Sequence, residues 1–300
     1  MNDDDMSPVF GRVLTAMVTP FTPDGSEVDY AQVARLAAYL VDDLGHDGLV
    51  INGTTGESPT TTDDEKRSIL DAVVTAVGDR ASIVAGVGSF STKHTIELSR
   101  QAASIGADGA LVVTPYYSRP PVDALEDHFR AVADATDLPV MLYDIPHRTG
   151  TAIAEDLLIR LAEHPNIRAV KDAKGDVASS AFVMANTELA FYAGDDAMLL
   201  PLLAVGGVGV VGTSTHFTAP AAFEIIEHFR AGRMEAAILA NRHALPAFRD
   251  VFATQGAMMV KATLAARGFA VGPCRAPMGK VAPELVQGYA QLLEDLGFAA

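Results

Sequence analysis

The chain has 300 residues, of which 49% are apolar, 20% charged and 7% aromatic. This composition excludes a disordered, collagenous or disulfide-stapled protein and favours a soluble globular one. The net charge of −16 argues against a nucleic acid or an anionic membrane as partner, because both bind to basic surfaces. The single cysteine, Cys274, has no internal disulfide partner, which favours a reducing, cytoplasmic location.

Eight short apolar runs, each followed by a helical pattern, divide most of the chain into units of about 20–35 residues. In chain order the predicted strands are Leu14–Phe21, Gly48–Gly53, Ser82–Gly88, Ala110–Thr114, Pro139–Ile145, Ile167–Lys171, Ala190–Ala193 and Gly207–Gly212. The runs are apolar at consecutive positions, which is typical of parallel strands that are covered on both faces. Eight such units in succession favour the α/β class and a closed (β/α)8 TIM barrel.

The end of the chain has a different pattern. From Arg233 onward it predicts helices alone, over Met234–Phe252, Met258–Ala266 and Pro283–Leu296. We therefore divide the chain into a (β/α)8 barrel over residues 1–232 and a C-terminal all-helical domain over residues 233–300. In barrels of this kind the reacting groups lie at the carboxyl ends of the strands, so the residues at those ends are the candidates for chemistry.

The second predicted strand ends in Gly53-Thr54-Thr55-Gly56-Glu57-Ser58. The glycines let a ligand approach the backbone, and the hydroxyls and amides of Thr54 and Thr55 suit a small anion such as a carboxylate. An ordinary polar turn between a strand and a helix is the alternative interpretation.

Lys171 ends the sixth predicted strand, which is otherwise mainly apolar. In a confined site of low dielectric an ammonium is disfavoured, so the lysine pKa falls and the neutral amine can attack a carbonyl to form a Schiff base. The alternative is a lysine that reaches solvent at the strand end.

Two further candidates lie near the end of the fifth strand, one within it and one just after it. Tyr143 is a candidate proton carrier, and Arg148 can clamp a carboxylate with two parallel hydrogen bonds. A packed aromatic residue and an ordinary surface ion pair are the alternatives. Tyr117, after the fourth strand, is either a packing residue or a second source of protons.

Other patterns compete with the Schiff-base interpretation. The carboxylates at the ends of strands five to seven are able to hold Mg²⁺ or, alternatively, to orient loops and cap helices: Asp144, Asp172, Asp195 and Asp196. The GxGxxG pattern of Gly207–Gly212 lies within an apolar run, unlike a dinucleotide-binding turn. The histidines lack zinc-site spacing, so no zinc site is expected.

Three segments, Gly53–Ser58, Tyr143–Gly150 and Val170–Gly175, resemble the hallmark motifs of the dihydrodipicolinate synthase family in order and position. The resemblance implies a (β/α)8 barrel with C-terminal helices that condenses pyruvate with L-aspartate-4-semialdehyde in lysine and diaminopimelate biosynthesis. It implies a lyase that needs no metal and no other cofactor. It further implies a homo-oligomer, a tetramer built from tight dimers.

The resemblance also implies catalytic roles. Lys171 would form the Schiff base with pyruvate. Tyr143, Thr55 and Tyr117 would form a proton relay, with Tyr117 reaching into the site of the partner in the tight dimer.

The implied binding roles fall on five residues. The amides around Thr54 and Thr55 would hold the pyruvate carboxylate, and Arg148 would hold the carboxylate of the semialdehyde. Gly194 and the carbonyl of Val211 would line the pocket.

Three departures from the family pattern bear on substrate choice and regulation. His147 stands beside Arg148 where the family usually has Gly or Ser, and Val211–Thr215 differs from the usual strand-eight tip. The positions that bind lysine in feedback-inhibited members carry Phe90, His94, Asp63 and Lys66. Because His94 replaces the carboxylate that would meet the inhibitor's amine, we expect weak or absent inhibition by lysine.

Three alternatives to this function stay open from the sequence. One is a related Schiff-base aldolase, such as an N-acetylneuraminate lyase-like or keto-sugar-acid aldolase. The second is a Mg²⁺-dependent barrel lyase or isomerase that uses the strand-end carboxylates. The third is a catalytically silent paralogue that binds pyruvate without turnover.

Overall fold

The computed structural model describes residues 8–298 and contains a closed barrel of eight parallel strands that neighbour one another in chain order. The strands are β1 Val13–Ala16, β2 Gly48–Ile51, β3 Ser82–Gly86, β4 Gly109–Val113, β5 Val140–Asp144, β6 Ile167–Asp172, β7 Ala190–Ala193 and β8 Gly209–Gly212. β1 pairs with both β2 and β8, so the sheet has no free edge. The predicted (β/α)8 fold is confirmed.

Twelve α-helices lie within the described residues: α1 Tyr30–Ala38, α2 Asp63–Val77, α3 Thr92–Ile105, α4 Val122–Asp134, α5 Pro146–Thr149, α6 Glu155–Leu161, α7 Val177–Met184, α8 Leu199–Leu203, α9 Thr215–Arg230, α10 Met234–Asp250, α11 Gly256–Ala266 and α12 Pro283–Asp295. A π-helical turn, Tyr39–Asp43, extends α1. The short α5 follows β5 and carries His147 and Arg148. Within residues 8–298 no helix has the length and apolar character needed to cross a membrane.

The start of α2 illustrates how local sequence positions the helices. The hydroxyl of Thr62 accepts a hydrogen bond from the Glu65 amide, and the Glu65 carboxylate accepts one from the Thr62 amide. This reciprocal pairing satisfies two backbone donors that a helix start leaves free. The acidic first turn also interacts favourably with the positive end of the helix dipole.

Two apolar layers form the core. The larger layer packs the outer face of the sheet against the helices, and the smaller one fills the barrel with side chains such as Leu14, Val50 and Met141. At the amino-terminal end of the barrel, the Tyr192 hydroxyl donates to the carbonyl of Gly11 and accepts from the amide of Phe10.

The C-terminal helices pack onto the barrel. α10 lies against α9, and the Tyr289 hydroxyl of α12 donates to the carbonyl of Ala247 in the last turns of α10. Gln255 caps α11, which begins two residues before the predicted Met258. The division of the chain at residue 232 stays a prediction, and α10 also contacts the turn after β7.

Candidate active site

A cavity of about 420 Å³ opens at the carboxyl ends of the strands. It brings together six of the eight predicted site residues: Thr54, Thr55, Tyr143, Arg148, Lys171 and Gly194. His147, Asp195 and Thr213 also line it. These residues come from five different strand ends and the turns that follow them, so the barrel alone assembles them.

Lys171 and Tyr143 form the centre of the cavity. They occupy paired positions on β6 and β5, and the Lys171 Nζ lies 4.3 Å from the centroid of the Tyr143 ring. Both side chains are buried, each with about 5% of its surface exposed. The alternative in which Lys171 reaches bulk solvent at its strand end therefore does not hold.

Burial lowers the pKa of Lys171 to about 8. The carboxylate of Asp196 opposes this effect, and the positive charge of Arg148 reinforces it. Because the ordinary value is 10.5, a far larger fraction of the amine is neutral near physiological pH than in a solvated lysine. A neutral amine is the form that attacks a carbonyl.

Tyr143 has the opposite shift. Burial raises the pKa of its phenol to about 12, and the charge of Arg148 and a side-chain hydrogen bond with Thr54 partly oppose the rise. The phenol is therefore protonated in its resting state and able to donate a proton. Thr54 thus influences the phenol directly, and the role of Thr55 in the relay stays a prediction.

A buried ion pair supports the turn that follows β2. Glu57 in that turn has a left-handed backbone with φ of 58°, and its carboxylate lies 3.0 Å from the Lys261 Nζ of α11. The same Nζ donates to the carbonyl of Thr19, and the Arg275 amide donates to the second oxygen of Glu57. These bonds tie the turn to α11 and to the segment that follows it.

Replacing Lys261 by methionine is expected to lower the free energy of unfolding by about 3–5 kcal/mol, because the Glu57 carboxylate would stay buried without its cation. Urea denaturation at matched protomer concentration measures the loss. Lys93→Met, which removes an exposed lysine 3.9 Å from Glu97, serves as the control with an expected change of about 0.5 kcal/mol or less. A loss of under about 1 kcal/mol for Lys261→Met would contradict this view of the pair.

The carboxylates at the strand ends serve the loops. Asp144 accepts a hydrogen bond from the Ile153 amide, Asp195 caps the turn after β7, and Asp196 accepts from the Thr213 amide. Across residues 8–298, no three His, Cys, Asp or Glu side chains are grouped as ligands for a metal ion. The geometry therefore favours the loop-orienting role of these acids over magnesium binding.

Tyr117 does not line the cavity of its own chain. Its side chain is 95% exposed and its φ is 72°, a left-handed conformation that is uncommon for a bulky residue. The neighbouring Tyr116 is turned inward against Phe90, with ring centroids 5.6 Å apart. Its role in a partner's site stays a prediction.

Of the two predicted pocket residues Gly194 and Val211, Gly194 lines the cavity and Val211 does not. A Cβ atom at Gly194 would lie 2.9 Å from the Ala173 Cβ, so a larger residue would displace the end of β6. Val211 is fully buried in the barrel interior, where it pairs with Leu14. Thr213 is the cavity-lining residue of this part of the chain, and the role of the Val211 carbonyl stays a prediction.

Three of the four positions linked to lysine inhibition lie close together, since the Asp63 carboxylate is near both His94 and Lys66. The His94 Nε2 lies 2.9 Å from the Asp63 carboxylate, and the Lys66 Nζ donates to the carbonyl of Thr61. Phe90 is 63% exposed. None of these contacts tests the response to lysine, so weak or absent inhibition by lysine stays a prediction.

The C-terminal helices supply a wall of the cavity that the sequence did not predict. The residues are Phe248, Arg249, Phe252, Gln255, Gly256 and Ala257. They belong to the end of α10, the start of α11 and the segment between the two helices. No sequence pattern near them indicates a site, because their role depends on how α10 packs across the barrel.

Comparison with known proteins gives a consistent result. A model of the "Dihydrodipicolinate synthetase family" matches residues 9–296. The 4-hydroxy-tetrahydrodipicolinate synthase of Cutibacterium acnes is 58% identical over 288 residues, covering 96% of this chain and 98% of the relative. That of Acidothermus cellulolyticus is 57% identical over 290 residues, covering 97% and 92%.

Solved structures show the same likeness. The dihydrodipicolinate synthase of Cyanidioschyzon merolae with lysine bound has a TM-score of 0.95 and 40% identity, covering 98% of this chain and 100% of its own. The chloride-inhibited enzyme of Acinetobacter baumannii, complexed with pyruvate, has a TM-score of 0.92 and 31% identity, covering 97% and 100%.

Proposed function

Because the chain belongs to the dihydrodipicolinate synthetase family, we propose that it condenses pyruvate with L-aspartate-4-semialdehyde through a Schiff base on Lys171. The chain is a lyase of lysine and diaminopimelate biosynthesis, and its relatives are named for 4-hydroxy-tetrahydrodipicolinate synthase activity. The observation that carries the mechanism is a buried Lys171 amine, with its pKa lowered to about 8, beside the phenol of Tyr143.

The first step joins pyruvate to the enzyme. The neutral Lys171 amine attacks the C2 carbonyl of pyruvate, and the carbonyl oxygen leaves as water once it has taken up protons. The result is a protonated imine. The amides and hydroxyls of Thr54 and Thr55, at the edge of the cavity, bind the pyruvate carboxylate.

The second step forms the new carbon–carbon bond. The iminium withdraws electrons from the adjacent methyl group, which loses a proton and becomes an enamine. The enamine carbon attacks the aldehyde carbon of the second substrate, and the aldehyde oxygen takes up a proton. The amine of the second substrate then attacks the imine carbon, which closes the ring and releases Lys171.

The proton transfers are assigned to Tyr143 and Thr54. We assign this role to Thr54 rather than to Thr55 because the Thr54 side chain acts to lower the pKa of the phenol. Tyr117 completes the relay from a second copy of the chain in a tight dimer, consistent with its exposure of 95%. Two such dimers form the proposed tetramer, located in the cytoplasm.

The identity of the acceptor is tested by turnover. Arg148 lines the cavity and suits an acceptor that carries a carboxylate, whereas a keto-sugar-acid aldolase takes a neutral sugar. Purified enzyme with pyruvate is assayed with L-aspartate-4-semialdehyde and, separately, with N-acetylmannosamine. Turnover with the semialdehyde alone supports the proposal, and turnover with the sugar alone refutes it.

The rate of imine formation is expected to fall roughly 50-fold from pH 8 to pH 6. Lys171 has a pKa of about 8, so about half of the amine is neutral at pH 8 and about 1% at pH 6. Rapid mixing with pyruvate followed by a borohydride quench measures this rate. Arg148→Gln is expected to move the profile to higher pH, because the Arg148 charge lowers the Lys171 pKa. A rate that is constant between pH 6 and pH 8 would contradict the assignment.

A further inference from the structure

The end of α10 places a second arginine in the active-site cavity. Arg249 lines the cavity together with Arg148, although α10 lies outside the predicted barrel. Among residues 8–298, neither guanidinium donates a hydrogen bond or forms an ion pair with another side chain. Arginine side chains that border a cavity in this way have all their donors available to a ligand.

The charge of the cavity is opposite to that of the chain. The chain has a net charge of −16, yet three basic side chains, Lys171, Arg148 and Arg249, line this one cavity. Asp195 is the acidic residue among the lining residues, and one of its oxygens accepts from the Ala197 amide. The cavity therefore favours an anionic ligand, and one with more than one negative group suits it best.

The two arginines approach from different sides. Arg148 follows β5, whereas α10 contacts the turn after β7 and lies against α9. The neighbour of Arg249 in the helix, Phe248, is almost fully buried, so the last turn of α10 is held firmly. Arg249 is thus attached to a rigid element, which favours precise binding of a ligand group.

We propose that Arg249 acts with Arg148 to bind the carboxylate of the aldehyde acceptor and thereby selects acidic aldehydes over neutral ones. This inference rests on the proposed function. Pyruvate joined to Lys171 occupies the turn after β2 with its own carboxylate, so the second negative group in the cavity belongs to the acceptor. A neutral acceptor would make neither of these charge-assisted contacts, so we expect it to bind more weakly.

The test replaces Arg249 and follows each substrate separately. Arg249→Gln is expected to raise the KM for L-aspartate-4-semialdehyde by about tenfold or more, because a charge-assisted bidentate contact is lost. The KM for pyruvate and the fraction of enzyme trapped by borohydride with pyruvate are expected to stay within about twofold of the wild type. Arg249→Lys is expected to have an intermediate KM, since an ammonium keeps the charge without the planar fork.

Two controls make the result specific. Arg242→Gln removes the same charge from the exposed surface of α10 and is expected to leave all constants unchanged. The carboxyl methyl ester of the semialdehyde is expected to react equally with wild type and Arg249→Gln. An unchanged semialdehyde KM in Arg249→Gln, or an equal rise in Arg242→Gln, would overturn the inference. Failure of the wild type to trap pyruvate would instead refute the Schiff-base function.

Discussion

Lys171→Met is expected to reduce turnover at least about a thousandfold, because the variant lacks the amine that forms the covalent bond to pyruvate. Methionine has a similar length and suits a buried position. The expected stability is no lower than that of the wild type, since a buried amine with a pKa lowered to about 8 costs free energy when it is protonated at neutral pH. Steady-state kinetics and thermal unfolding at pH 7 measure both effects.

A lysine three residues further on provides the control for this variant. The Lys174 Nζ lies 3.7 Å from the Asp144 carboxylate and 3.2 Å from the Ser179 hydroxyl. Lys174 therefore supports a loop rather than the reaction, and Lys174→Met is expected to keep turnover within about tenfold of the wild type. Residual turnover in Lys171→Met above about 1% of the wild-type value would contradict the covalent mechanism.

Tyr143→Phe is expected to lower kcat by about 10²- to 10³-fold, the usual contribution of a positioned proton donor. Phenylalanine keeps the ring that lies 4.3 Å from the Lys171 Nζ but removes the hydroxyl that Thr54 contacts. Pyruvate binding is expected to change far less than kcat. Single-turnover and steady-state measurements separate the two effects.

The two adjacent threonines test the relay. Thr54→Val removes the hydrogen bond to Tyr143 and is expected to lower kcat in the manner of Tyr143→Phe. Thr55→Val leaves that bond in place and is expected to act more on the KM for pyruvate. If Thr55→Val instead gave the larger loss of kcat, the relay would be the one predicted from the sequence.

The barrel was predictable because its strands carry a strong local signal. Runs of apolar residues at consecutive positions mark strands that are covered on both faces, and eight of them occur at regular spacing. The residues at which the strands end are harder to predict than the strands themselves. The first run was predicted to continue to Phe21, but β1 ends at Ala16, and Phe21 instead pairs with Val28 in an isolated bridge.

The strand-end residues were predictable for the same reason. Lys171 and Tyr143 stand at the ends of apolar runs, and the barrel rule places such ends together. The sequence does not separate the roles of Thr54 and Thr55, since these roles depend on the direction of side chains in a turn with left-handed residues on either side, Asn52 and Glu57.

The features of the site that the sequence does not predict depend on packing between distant parts of the chain. The hydrogen-bonded ion pair between Lys261 and Glu57 joins residues that are 204 positions apart. The local sequence around either residue does not indicate that the other is its partner. Arg249 similarly enters the site because α10 folds across the barrel mouth. Contacts of this kind depend on the tertiary arrangement of whole helices.

Covalent trapping tests the central claim most directly. The enzyme is incubated with pyruvate, reduced with borohydride, digested and mapped by mass spectrometry, with Lys171→Met treated in parallel. We predict a reduced pyruvate adduct on the peptide that contains Lys171, and none in the variant. An unmodified Lys171 peptide, or an adduct on a different lysine, would contradict the account.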